Sequence, residues 1–72
     1  MVRATDVKLP SLASWRTAKL LTQKQLADKS GVARGTIVRA EHGAPVSLLS
    51  ATKLAQVLGV SVELLKREGE RP

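Results

Sequence analysis

The chain has 72 residues, with one tryptophan but no tyrosine or phenylalanine, one histidine and no cysteine. This composition allows one small domain with an aliphatic core, and it excludes disulfides and thiolate metal sites. The formal net charge of +6 lies wholly between residues 7 and 53, which favours a polyanionic partner, and the lack of a long apolar run predicts a cytoplasmic protein.

The first two predicted helices are separated by a short corner. The first begins near Pro10 or Ser11, because proline fits the first turn of a helix, and it closes at Leu21. The second begins at the run Thr22-Gln23-Lys24-Gln25, which fits a capping box. It is expected to stop at Gly31, because glycine readily adopts the left-handed conformation that ends a helix.

Three more helices follow from the same kinds of signal. The third is predicted at residues 34–41, the fourth between a cap at Ser47 and a stop at Gly59, and a short fifth after Ser61. No run alternates apolar and polar residues for long enough to predict a strand. The expected fold is therefore all-α, a compact bundle of five helices.

The domain boundaries follow from where the helical pattern starts and fades. The helical domain is placed at residues 10–66, after a partly flexible arm at residues 1–9 and before a polar tail at residues 67–72.

Trp15 falls on the apolar side of the first helix, so it is expected in the core rather than as a platform for a stacked base.

The second and third helices have the spacing of a helix-turn-helix, about three residues that begin with a glycine. On a helical wheel, Ile37 and Ala40 face the core. The opposite side of the third helix carries Arg34, Gly35, Val38, Arg39 and His42. Arginine can bond to O6 and N7 of guanine, and valine can contact the thymine methyl group. The alternative reading of the same pattern is an ordinary solvated face.

A longer series of residues extends this observation along the chain. The series is Leu21-Thr22-Gln23, Leu26-Ala27, Gly31-Val32, Ile37, Glu41, Gly43, Ser47-Leu48, Lys53-Leu54-Ala55, Leu58-Gly59-Val60-Ser61 and Leu64-Leu65. With it, residues 12–65 resemble the phage repressor/Cro-type (XRE-like) helix-turn-helix family. The resemblance implies a five-helix DNA-binding domain of the repressor type and sequence-specific binding of double-stranded DNA. It also implies a bacterial or phage-encoded transcriptional regulator, predicted to be a repressor, that binds a two-fold operator as a homodimer.

The resemblance also assigns roles to individual residues. The expected base contacts come from Arg34, Gly35, Val38 and Arg39. The expected phosphate contacts come from Thr22, Gln23, Lys19, His42 and Lys53. A structural salt bridge is expected between Arg16 and Glu41. No metal, cofactor, membrane or small-molecule ligand is expected.

Three features depart from the family's pattern. Ala33 stands where a capping serine or threonine is usual, which leaves the third helix without a side-chain cap. Gly35 stands where a contacting side chain is common, so it either removes a contact or allows a closer approach to DNA. The loop at residues 44–49 has no basic residue, so non-specific affinity is expected to depend on the first three helices, with Arg3 and Lys8 in the arm.

The competing hypothesis is a protein-interaction module, or an antitoxin or controller component, whose helical surface docks onto a partner protein. The absence of aromatic residues from the outward side of the third helix favours DNA over a protein partner. The sequence contains no recognisable set of nucleophile, base and orienting residue, so an enzyme is not predicted. Contacts between two copies are expected around Val46, Leu64 and Leu65.

Overall fold

The computed structural model describes residues 6–69. Its elements are β1 (Asp6–Val7), α1 (Leu12–Ala18), α2 (Gln23–Ser30), α3 (Arg34–Glu41), β2 (Val46–Ser47), α4 (Leu48–Leu58) and α5 (Val62–Lys66). The prediction of a mostly helical, five-helix fold is confirmed. Within residues 6–69, no helix is both long and apolar enough to cross a membrane.

Local capping signals position most helix ends. Thr22 and Gln25 form the predicted capping box, in which the Gln25 N–H donates to Thr22 Oγ1 at 3.0 Å and the Thr22 N–H donates to Gln25 Oε1 at 2.8 Å. The hydroxyls of Ser47 and Ser61 cap α4 and α5 by accepting from the N–H groups of Ser50 and Leu64, respectively. Gly31 ends α2 with φ of 77°. These bonds satisfy backbone donors that a helix leaves open at its first turn.

The core is aliphatic, as the composition requires. Its buried members are Leu9, Leu12, Leu26, Val32, Ile37, Ala40, Val46, Ala51, Leu54, Ala55, Leu58 and Leu65. Trp15 is half-buried and packs against this core. Its indole N–H is buried without a hydrogen-bond partner among the described residues. Trp15 therefore contributes to packing rather than to an open face.

The expectation that no strand forms is wrong at one place. Asp6 and Val7 pair antiparallel with Ser47 and Val46, respectively. Two residues per strand are too few for an alternating pattern to be visible in the sequence. Leu9 is also fully buried, so the folded unit extends ahead of residue 10, into the predicted arm. Residues 1–5 of that arm and 70–72 of the tail lie outside the described residues.

The first helix ends earlier than predicted, at Ala18 rather than Leu21. The Leu21 N–H donates to the Arg16 carbonyl at 3.2 Å and the Leu20 N–H to the Thr17 carbonyl at 3.0 Å. These two bonds form a Schellman motif, whose penultimate residue adopts a left-handed backbone. That residue is Leu20, with φ of 58° and an 89% exposed side chain.

Replacing Leu20 with glycine should stabilise the fold. A residue with a side chain in the left-handed region destabilises the folded state by about 1–2 kcal/mol. Glycine removes this strain but loses more conformational entropy on folding, which offsets part of the gain. We therefore expect Leu20→Gly to raise the free energy of unfolding by about 0.5–1 kcal/mol in urea titrations. Leu20→Ala keeps the Cβ and is the matched control. Equal stabilities of the two variants would show that the backbone at this corner is not strained.

Candidate nucleic-acid interface

The turn between α2 and α3 is short and is anchored in the core. Its three residues run from Gly31 to Ala33, and the left-handed Gly31 reverses the chain at its start. Val32 turns inward and is 6% exposed, while its N–H donates to the Ser30 hydroxyl at 3.2 Å. Because the middle of the turn is anchored in the core, the start of α3 is fixed relative to α2.

The two sides of α3 differ as the helical wheel predicts. Ile37 and Ala40 are fully buried. Arg34, Gly35 and Arg39 are exposed, and Val38 is half-buried. The structure thus brings all the predicted base-contacting residues together on the side of α3 that faces away from the core. Val38 is the least exposed of the four relative to its size.

This outward side of α3 carries positive charge that no ion pair balances within the described part of the chain. No carboxylate within residues 6–69 forms an ion pair with Arg34 or Arg39. The neighbouring surface of α2 differs, since Lys24 and Asp28 pair there at 3.1 Å and cancel each other's charge. The outward side of α3 is therefore suited to a ligand that offers hydrogen-bond acceptors or negative charge.

The predicted phosphate-contacting residues lie on several elements. Lys19 and Thr22 are exposed at the corner between α1 and α2, and Gln23 is the first residue of α2. His42 is exposed directly after α3, where its Nδ1–H donates to the Val38 carbonyl at 2.8 Å. Lys53 is exposed on α4. His42 is thus held at the end of α3 rather than extended freely into solvent.

Glu41 accepts hydrogen bonds from two side chains of other helices. Arg16 donates to it through Nε, at 2.6 Å, and through Nη2, at 3.2 Å. The Gln23 amide donates to Glu41 Oε1 at 3.0 Å. The side chains of Arg16 and Glu41 are only 15% and 7% exposed. We call Arg16, Gln23 and Glu41 the carboxylate network, and it ties α1, α2 and the end of α3 together.

The sequence does not predict the hydrogen bond from Gln23 to Glu41. The family resemblance predicts that Gln23 clamps a phosphate, and in this structure one of its amide N–H groups is directed to Glu41. An amide nitrogen carries two donors, so the second donor is the one that could meet a phosphate oxygen. The network therefore fixes the orientation of Gln23. No sequence pattern reveals such a bond between residues 18 positions apart.

The contact surface expected between two copies needs a correction. Val46 and Leu65 are core residues with 5% and 0% exposure, and they cannot form an external surface. Leu64, the third residue of that prediction, is half-buried, and its role between two copies stays a prediction. The exposed large apolar side chains in that part of the molecule are Leu48, at 46%, and Leu49, at 66%. Both lie in the first turn of α4, next to β2.

Comparisons with known proteins agree with this geometry. The family model described as helix-turn-helix matches residues 12–65, which is three quarters of the chain. The solution structure of the N-terminal DNA-binding domain of the master biofilm-regulator SinR from Bacillus subtilis is similar. Its TM-score is 0.75 and its sequence identity 27%, over 90% of this chain and 97% of that chain. No curated protein matches the chain by sequence.

Proposed function

The chain belongs to the XRE-type helix-turn-helix family, and from this premise we propose that it is a DNA-binding transcription regulator that acts as a repressor. In this proposal α3 enters the major groove of a specific double-stranded site. The similarity to the SinR DNA-binding domain supports DNA as the ligand. The protein acts in the cytoplasm, where a bacterial or phage regulator meets its operator.

The outward side of α3 is the observation that carries the proposal. It presents Arg34 and Arg39, which have no carboxylate partner within residues 6–69, together with Val38. Each arginine can make two hydrogen bonds to the O6 and N7 atoms of a guanine, and the valine methyl groups suit a thymine methyl. This combination reads bases as well as attracting phosphates.

Phosphate contacts would fix α3 in the groove. The start of α2 supplies Thr22 and Gln23, where the partial positive charge of a helix N-terminus favours an anion. Lys19, His42 and Lys53 add cationic or hydrogen-bonding groups around α3. Such contacts orient a protein on the duplex but carry no sequence information.

We also propose that two copies bind a two-fold symmetric operator. Each copy carries a net charge of +6, so most of its basic surface repels a second copy. Residues 44–52 contain no charged residue, and they include the exposed Leu48 and Leu49. A contact through this segment buries apolar side chains and keeps the charged surfaces apart.

Selection from a random pool of duplexes tests the function directly. We expect one enriched sequence with two related half-sites. Affinity for it should fall steeply with salt concentration, with a slope of about −0.9 per phosphate contact in a plot of log affinity against log salt.

A scrambled duplex of the same length and base composition is the control. It should bind more weakly than the selected site but show a comparable dependence on salt, because phosphate contacts do not depend on sequence. Failure to enrich any sequence, together with binding that does not respond to salt, would contradict the proposal. That result would favour docking onto a protein, as in an antitoxin or controller component.

A further inference from the structure

Gly35 occupies an exposed position in the first half of α3, where glycine weakens a helix. The place that a side chain would take at residue 35 lies next to the Arg39 side chain. A Cβ built on Gly35 would lie 3.3 Å from Arg39 Nη1, and among residues 6–69, leaving aside Arg34, Thr36 and the local helix backbone, no other atom lies within 4 Å. An added methyl group would thus stand closer than usual to the Arg39 guanidinium, which would have to move by a few tenths of an ångström from this position.

The path of the Arg39 side chain explains this proximity. Side chains on a helix lean toward its N-terminus, so a residue overlies the positions three and four residues earlier. Arg39 follows this path: its Nη2 donates to Thr36 Oγ1 at 3.3 Å, and its Nη1 lies above Gly35. Gly35 and Thr36 form what we call the guanidinium seat.

Charge alone does not explain why the guanidinium lies in this seat. The seat is near the start of α3, where a cation is disfavoured by the helix dipole. Arg34 adds a second positive charge in the same turn, and Ala33 provides no side-chain cap. The Thr36 hydroxyl accepts a hydrogen bond from the guanidinium there, and the absence of a side chain at Gly35 leaves room for it. The bond to Thr36 uses one donor of Arg39, and its remaining donors are available to acceptors such as the O6 and N7 atoms of guanine.

We propose that the guanidinium seat sets the base preference of Arg39. Gly35 leaves room for the guanidinium and Thr36 orients its plane, so that Arg39 presents its donors to one guanine from the first turns of α3. Gly35 is a positioning residue in this arrangement and does not contact the base. The inference depends on the proposed function, because it concerns how α3 distinguishes DNA sequences.

A double-mutant cycle tests the proposal. Affinities of the full chain and of Gly35→Ala, Arg39→Ala and the double variant are measured on the selected duplex and on duplexes altered at one base pair each. We expect Gly35→Ala and Arg39→Ala to lose discrimination, by about tenfold, at the same base pair. The double variant should lose no more than Arg39→Ala alone, because both changes act through one guanidinium.

Stability separates this effect from misfolding. Alanine is a better helix former than glycine, so the thermal midpoint of Gly35→Ala should rise while its discrimination falls. Thr36 offers a second pair of variants: Thr36→Ser keeps the hydroxyl and should keep discrimination, whereas Thr36→Val loses the hydroxyl and should lose part of it.

Two results would overturn the inference. One is unchanged discrimination in Gly35→Ala, and the other is losses by Gly35→Ala and Arg39→Ala at different base pairs that add in the double variant. These results differ from a failure of the proposed function, in which the unaltered chain itself would distinguish no duplex from the scrambled control.

Discussion

We expect Glu41→Ala to lower the free energy of unfolding by about 3 kcal/mol, the low end of the range for a broken buried ion pair, because it leaves a partly buried arginine without its counter-charge. Arg16 is 15% exposed and donates two hydrogen bonds to the Glu41 carboxylate. The Gln23 amide loses its acceptor in the same variant. Urea titration followed by circular dichroism at neutral pH measures the loss.

An exposed ion pair on the same protein provides the control. Asp28→Ala removes the partner of Lys24, and these two side chains are 66% and 75% exposed. Exposed pairs of this kind contribute about 0.3–0.5 kcal/mol. If Glu41→Ala costs no more than Asp28→Ala, the carboxylate network is not a structural support of α3.

The second prediction with a large expected effect is that Arg39 on α3 discriminates between DNA sequences, whereas Gln23 on α2 contributes to binding of any sequence. Arg39→Ala should reduce discrimination at one base pair by about 1–3 kcal/mol, since an alanine cannot bond to a guanine. Gln23→Ala should instead weaken binding to all duplexes by a similar factor, because a phosphate contact does not depend on sequence. Fluorescence anisotropy on a panel of labelled duplexes measures both.

Lys29→Ala is the control for charge. It removes one positive charge, as Arg39→Ala does, from an exposed residue in the last turn of α2. Discrimination should therefore persist in Lys29→Ala. A uniform loss in Arg39→Ala across every duplex would place Arg39 on the backbone of DNA rather than on a base.

Short-range signals account for the parts of the fold that the sequence predicts well. Thr22 and Gly31 bound α2 because a cap and a left-handed glycine each act within a few residues. Two helices besides α1 end in Schellman motifs, with Gly43 and Gly59 at the left-handed position. Leu20 takes that position in α1, and a leucine there carries no stop signal. The sequence therefore predicts the end of α1 three residues too late, at Leu21 instead of Ala18.

Long-range contacts account for most of what the sequence does not predict. The pairing of Asp6–Val7 with Val46–Ser47 joins segments far apart in the chain, and no local pattern anticipates it. Helical periodicity places the outward residues of α3 correctly. It does not show that Arg39 folds back over Gly35 or that Gln23 bonds to Glu41, because these contacts depend on side-chain conformation.

The position of Glu41 at the last residue of α3 has a practical consequence for engineering. The groups that hold this helix in place, Ile37, Ala40 and Glu41, are separate from the outward residues at 34, 35, 38 and 39. The outward residues can therefore be exchanged as a set while the scaffold keeps its anchors. A library randomised at those positions would search for new DNA targets while the buried anchors of α3 stay unchanged.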